Sequence, residues 1–122
     1  MSTHFIGRGN LGNDPELKTV EVDGEKRKVA EMRVYFDRSV PAGDGYEDRG
    51  GFWMTVTLWG ARAEACARLL AKGARVHCEG SLQRETWETE EGEERWDIRL
   101  RADYVALDLQ RVDHIGWKTK DE

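Results

Sequence analysis

Residues 52–72 read FWMTVTLWGARAEACARLLAK, and two periodicities meet there. In 52–59 apolar residues alternate with period two. Phe52, Met54, Val56 and Leu58 share one face, while Trp53, Thr55, Thr57 and Trp59 share the other. This predicts a strand whose first face joins a core. After Gly60 the period changes: Ala63, Cys66, Leu69 and Leu70 recur at helical spacing. They predict a helix over 61–72, with Gly73 as its C-terminal cap.

Upstream, 27–36 repeats the strand pattern. Ala30, Met32, Val34 and Phe36 point inward, so Glu31, Arg33 and Tyr35 point outward. Asp23-Gly24 between this run and the strand-like 19–22 is a hairpin signal. A short apolar start at 5–9 breaks at Gly9, and the following segment is rich in turn residues around Pro15. Residues 37–51 carry Pro41, four glycines and no periodicity, which predicts a long flexible loop.

Downstream, 74–82 and 95–107 read as strands with Val76, Cys78, Leu82, Ile98 and Leu100 inward. A two-residue turn at Glu91-Gly92 would set Leu82 opposite Arg101. A three-residue loop at 90–92, with Gly92 left-handed, pairs Leu82 with Leu100 and Trp87 with Arg95, and that register is expected. It makes a long twisted ribbon with Trp87 on one face and Trp96 on the other. The order of elements predicts an all-β protein: a five-stranded OB-fold Greek-key barrel with one α-helix between strands 3 and 4. A ferredoxin-like fold would need a helix after the first strand, where Pro15 and the run TVEV oppose one.

The 122 residues suit one domain, expected over 1–107, with a short polar C-terminal tail at 108–122 in which Ile115 and Trp117 are available to dock. No apolar run approaches the length of a membrane span, and the first residues lack a secretory pattern. A cytoplasmic chain is expected. Cys66 and Cys78 sit in apolar patterns and read as small buried hydrophobes. A zinc site with His77 would need a fourth ligand and tighter spacing. The net charge of −5 argues against a nucleic-acid partner until its distribution is considered. Residues 85–97 hold seven acids and one base, a net of −6, so the rest of the chain sums to +1.

The run from Gly7 to Gly12 matches the G-x-G-x-x-G dinucleotide fingerprint. No helix is expected after it, so nucleotide binding is not. The polar face of 52–59 is more informative. Trp53 and Trp59 lie opposite the core residues, where large rings pack under a loop, form a subunit interface, cover the helix or bind a ligand. Tyr35 joins them from the preceding strand, and Arg33, Arg38, Arg62, Lys72 and Arg84 fall near this face or its rims in such a barrel. Aromatic rings stack on unpaired bases whatever the sequence, and cations follow the phosphates. A duplex hides its base faces, so this surface suits single strands.

Residues 5–107 carry further marks in order: Gly9-Asn10-Leu11-Gly12, Asp14-Pro15-Glu16-Leu17, Trp53-x-x-Val56 and Trp59-Gly60. Ala63-Glu64, Leu70-x-Lys72-Gly73, Val76-x-x-Glu79-Gly80-x-Leu82, Trp87, Gly92 and Arg95 follow. In these the chain resembles the bacterial single-stranded DNA-binding proteins. The resemblance implies sequence-tolerant single-strand binding without catalysis or cofactor, in a homotetramer or dimer. It implies Trp53, Trp59 and Trp87 as stacking residues, with Trp96 at a position that is often aromatic. Gly7 and Arg8 depart from the family's apolar first strand. Arg38-Ser39-Val40-Pro41 stands near a further family aromatic, which Tyr35 or Tyr46 would have to replace. The chain reads Lys118-Thr119-Lys120-Asp121-Glu122 at its end, so the family's acidic tip, used to recruit replication and recombination proteins, is expected to be missing. The expected role is protection of single strands in replication, recombination, repair or conjugative transfer. The alternative is an OB-fold protein-interaction module, a primosome-type accessory with its rings in a protein interface. A nuclease would need converging carboxylates, whereas the acids here surround a turn.

Overall fold

A computed structural model describes residues 3–120. In chain order the elements are β1 (Thr3–Leu11), β2 (Glu16–Val22), β3 (Glu25–Phe36), β4 (Ser39–Ala42), β5 (Gly45–Asp48) and β6 (Phe52–Trp59). They continue with α1 (Ala61–Leu69), β7 (Arg75–Glu88) and β8 (Glu94–Leu107). The main sheet runs β1-β7-β8-β6-β3-β2, and β1 also pairs with β3, so the sheet closes on itself. All its pairings are antiparallel except β6 with β8. Both β1 and β2 pair with β3. They act as one first strand bent at 12–15, which reconciles six strands with a five-stranded OB-fold. The helix falls between the third and fourth barrel strands, as expected.

The bend is held by side chains. Asn13 Oδ1 accepts the Arg33 N–H at 2.8 Å, and Asp14 Oδ1 accepts the Lys72 N–H at 2.8 Å. The glycine-rich run occupies the end of β1 and the first residue of the bend, and leads to no helix. The 23–24 turn has positive φ at both residues, 52° at Asp23 and 81° at Gly24, the geometry whose twist suits a two-residue hairpin.

The alternation places Met32, Val34, Val56, Val76, Cys78 and Leu100 fully inside the barrel. Ala63 and Cys66 of α1 join that core, with α1 packed on β3 and β6. Burial pushes the Cys66 thiol up to about 11 and the Cys78 thiol up to about 12. Both cysteines are therefore the small hydrophobes the sequence implied.

Five expectations are corrected. The helix ends at Leu69, not at residue 72. Leu70 is already extended, and the Gly73 N–H donates to the Leu11 carbonyl at 2.8 Å, drawing the chain back onto β1. Leu70 thereby packs on the core, while Leu69 is left exposed. Residues 37–51 are not simply a loop, because β4 and β5 form a small separate hairpin. Phe52 is half exposed at the barrel rim, where it meets Phe5 and Phe36 edge-on or tilted. Ile98 is partly exposed because β6 pairs with β8 only at 99–102, leaving the outer ribbon without a third strand. The 90–92 loop has Gly92 at φ 82°, and Leu82 pairs with Leu100 as expected. After β8 comes one 3₁₀ turn, Leu109–Arg111, capped by Asp108, and neither Ile115 nor Trp117 is buried.

Candidate nucleic-acid interface

Three strands supply one polar sheet face. In the β3–β6 register Tyr35 opposes Trp53 and Arg33 opposes Thr55. In the β6–β8 register Thr55 opposes Arg99 and Thr57 opposes Arg101. The ribbon continues that face through Gln83, Glu85 and Trp87, because Gln83 opposes Arg99 and Trp87 opposes Arg95. Trp53, Trp59 and Trp87 therefore share a continuous surface, and Trp53 and Trp87 are about half exposed.

Each ring has a local setting. The Tyr35 and Trp53 rings lie 5.4 Å apart, tilted by 58°. The Arg33 guanidinium sits 5.9 Å from the Trp53 centroid and donates to Thr55 Oγ1 at 3.2 Å. At the other end of β6, the Arg101 guanidinium lies 5.2 Å from the Trp59 centroid. Such cations favour the ring faces electrostatically and stay available to phosphate. Between β2 and the ribbon runs a groove of about 440 Å³, walled by Trp59, Lys18, Glu85, Arg84, Arg99 and Arg101.

Tyr35 also ties the β4–β5 hairpin to this face. Its hydroxyl donates to Asp48 Oδ2 at 2.5 Å, and Asp48 Oδ1 accepts the Arg38 N–H at 3.0 Å. The hydrogen bond to Asp48 holds the Tyr35 pKa above the usual tyrosine value and the Asp48 carboxyl below the usual carboxylate value. Nearby, Asp37 takes two hydrogen bonds from Arg75, at 2.6 and 3.1 Å. Arg75 lowers the Asp37 pKa, and Asp37 raises that of Arg75.

The other sequence candidates are distributed differently. Trp96 faces away from Trp87 on the ribbon, with the Arg84 guanidinium 4.6 Å from its centroid. It lines an apolar cleft of about 230 Å³ with Phe5, Phe52 and Ile98, and Trp53 borders the same cleft. Arg38 lines a polar cleft with Arg8, His77 and Tyr46 beneath the hairpin. Arg62 stacks 5.0 Å from the Tyr104 centroid. Lys72 is exposed in the turn after α1, anchored by its backbone to Asp14. The sequence reading missed Arg99 and Arg101. Leu100 pointing inward already implied that both point outward, but the parallel β6–β8 contact that seats them beside Trp59 lies far apart in the chain.

Among the described residues, no helix is long and apolar enough to cross a membrane. The profile described as the Single-strand binding protein family matches residues 3–109. The single-stranded DNA-binding protein 1 of Chlorobaculum tepidum is 27 % identical over 110 residues, covering 85 % of this chain and 60 % of that protein. The single-stranded DNA-binding protein of Corynebacterium glutamicum is 33 % identical over 109 residues, covering 88 % of this chain but 47 % of its own length. The chain thus spans roughly half to three-fifths of these relatives. The crystal structure of a small single-stranded DNA-binding protein from Streptomyces coelicolor aligns with a TM-score of 0.73 at 20 % identity, covering 91 % of this chain and 98 % of that one. A Plasmodium falciparum SSB complex with single-stranded DNA aligns with a TM-score of 0.69 at 18 % identity, covering 88 % and 94 %. These two share the fold, and the profile spans every strand from β1 to β8. The chain belongs to the single-strand binding protein family.

Proposed function

We propose that this chain binds single-stranded DNA irrespective of sequence, without catalysis, as one domain over 1–107 followed by a polar tail. The carrying observation is that Trp53, Trp59 and Trp87 share one solvent-facing sheet surface with Arg33 and Arg101 beside two of the rings. Unpaired bases stack on the indoles, contributing about 1–3 kcal/mol per base, and the arginines take phosphates. The family's relatives are named for the same ligand. The role that follows is protection of transient single strands in replication, recombination, repair or conjugative transfer, in the cytoplasm where that DNA lies.

Assembly of copies accompanies this reading. Residues 3–8 of β1 pair with β7 on one edge, and only residues 9–11 pair with β3 on the other. Unpaired strand edges support edge-to-edge association. A homotetramer or dimer is expected by light scattering, and a monomer at every concentration overturns it.

Titration of intrinsic fluorescence with poly-dT tests the binding reading. Quenching that weakens as salt rises, and a loss of about 2–6 kcal/mol in a folded Trp53→Ala/Trp87→Ala double variant, are expected if the two stacks add. An unchanged affinity overturns it. The protein-interaction reading draws on the apolar cleft shared by Trp53 and Trp96. It predicts that an oligonucleotide leaves the elution volume unaltered and the tryptophans unquenched.

A further inference from the structure

Across the groove beside Trp59 runs a chain of alternating charges. Lys18 Nζ on β2 lies 3.4 Å from Glu31 Oε2 on β3, that same oxygen lies 3.9 Å from Arg99 Nη1 on β8, and Arg99 Nε lies 2.7 Å from Glu85 Oε2 on β7. Lys18 and Arg99 are thus matched by the protein's own carboxylates. Arg33 and Arg101 lie beside rings instead.

The contact to Glu85 has an unusual character. Arg99 Nε is buried, yet among the described residues it has no aligned hydrogen-bond partner, because the nearby Glu85 oxygen is off its donor direction. A buried donor without an aligned acceptor is unfavourable. Glu85 is the more exposed of the two carboxylates, at 57 % against 31 % for Glu31. Glu31 touches both Lys18 and Arg99 and braces them, whereas Glu85 covers Arg99 from the solvent side without satisfying it.

Resting on the single-strand reading, we infer that Glu85 is a displaceable stand-in for a backbone phosphate, so that DNA gains Arg99 only by expelling the Glu85 carboxylate. A phosphate offers several acceptor oxygens and can meet the Nε–H direction that Glu85 misses. A strand already held by stacking and by Arg33 and Arg101 makes the exchange within one complex, where the effective concentration of phosphate is high. An isolated anion has no such help. Glu85 therefore sets the threshold between a polynucleotide and a lone anion.

The test compares poly-dT affinity, read by tryptophan quenching, for wild type, Glu85→Gln, Glu93→Gln, Arg99→Gln and the Glu85→Gln/Arg99→Gln pair. Glu93 contacts Arg95 at 2.8 Å near the ribbon tip, so its substitution removes the same charge away from the groove. Glu85→Gln is expected to bind about two- to fivefold tighter, the range of an exposed ion pair. That gain should be absent from Glu93→Gln and should vanish in the Arg99→Gln background. An unchanged or weaker affinity for Glu85→Gln overturns the inference, as does an equal gain for Glu93→Gln, which would mean bulk repulsion from the acidic ribbon. If Arg99→Gln fails to fold, the Glu93→Gln comparison still decides. Absence of quenching in the wild type removes the binding reading itself, whereas quenching that depends on Trp53 alongside an inert Glu85→Gln removes only this inference.

Discussion

The indole of Trp53 lies across Gly12. A Cβ at residue 12 would stand 2.4 Å from Trp53 Cζ3 and 2.7 Å from Cη2, closer than real contacts allow. The bend between β1 and β2 thus forms a seat for a ring that belongs to β6. One residue of the G-x-G-x-x-G run positions an indole of the aromatic face.

Gly12→Ala is therefore expected to displace Trp53. Poly-dT affinity should fall by about 1 kcal/mol or more as the ring is moved, while stability stays close to wild type because a half-exposed indole can swing aside. Fluorescence titration and urea unfolding measure the two effects separately. Wild-type affinity in the variant would show that the seat is not needed.

Asp37 and Arg75 link stability to pH. The folded-state pKa of Asp37 lies below its unfolded value, so its contribution is present above about pH 4 and is lost as pH falls further. Asp37→Asn should destabilise the protein by about 1.5–3 kcal/mol at neutral pH, the range for hydrogen bonds to a charged group. The gap to wild type should narrow in acid. A gap that stays constant from neutral pH to pH 3 would mean that Asp37 acts through packing instead.

The Tyr35–Asp48 contact fastens the β4–β5 hairpin to the aromatic face. Tyr35→Phe keeps the ring but removes the donor, so trypsin should cleave faster after Arg38 and Arg49 while the cooperative unfolding midpoint stays close to wild type. Identical cleavage rates would show that the hairpin is held by other contacts. Because the hydroxyl donates to a carboxylate, the Tyr35 absorbance change should come later in an alkaline titration than that of free tyrosine.

Cys66 and Cys78 should be inert in the folded state. With thiols pushed up to about 11 and about 12, almost no thiolate forms at pH 8, and burial blocks access. A thiol reagent is expected to label both only after denaturant is added. Rapid labelling of the native protein would contradict the core placement.

The two halves of the ribbon were legible in advance because period-two alternation leaves little freedom. Placing Leu82 opposite Leu100 forces a three-residue loop, and Gly92 is the residue that adopts positive φ there. The 37–51 hairpin was not legible. Its strands are four residues each, β5 is exposed throughout, and β4–β5 is pinned through Asp48, which hydrogen-bonds to Tyr35 and the Arg38 backbone, residues outside its two strands. Leu69 was misread for a related reason. Helical spacing includes it in the apolar stripe, but the Gly73 bond to Leu11 ends the helix before that stripe is complete.

Local pattern alone determined the inward faces of 27–36 and 52–59 apart from Phe52, where the helix interrupts the strands, and that Trp53, Trp59 and Trp87 lie on the face opposite the core residues. Those follow from side-chain alternation and burial, which act over a few residues. Only the closed sheet decided what stands beside each ring. Arg101 reaches Trp59 and Arg99 meets Glu31 because β8 runs parallel to β6, a pairing of segments some forty residues apart that no local periodicity encodes.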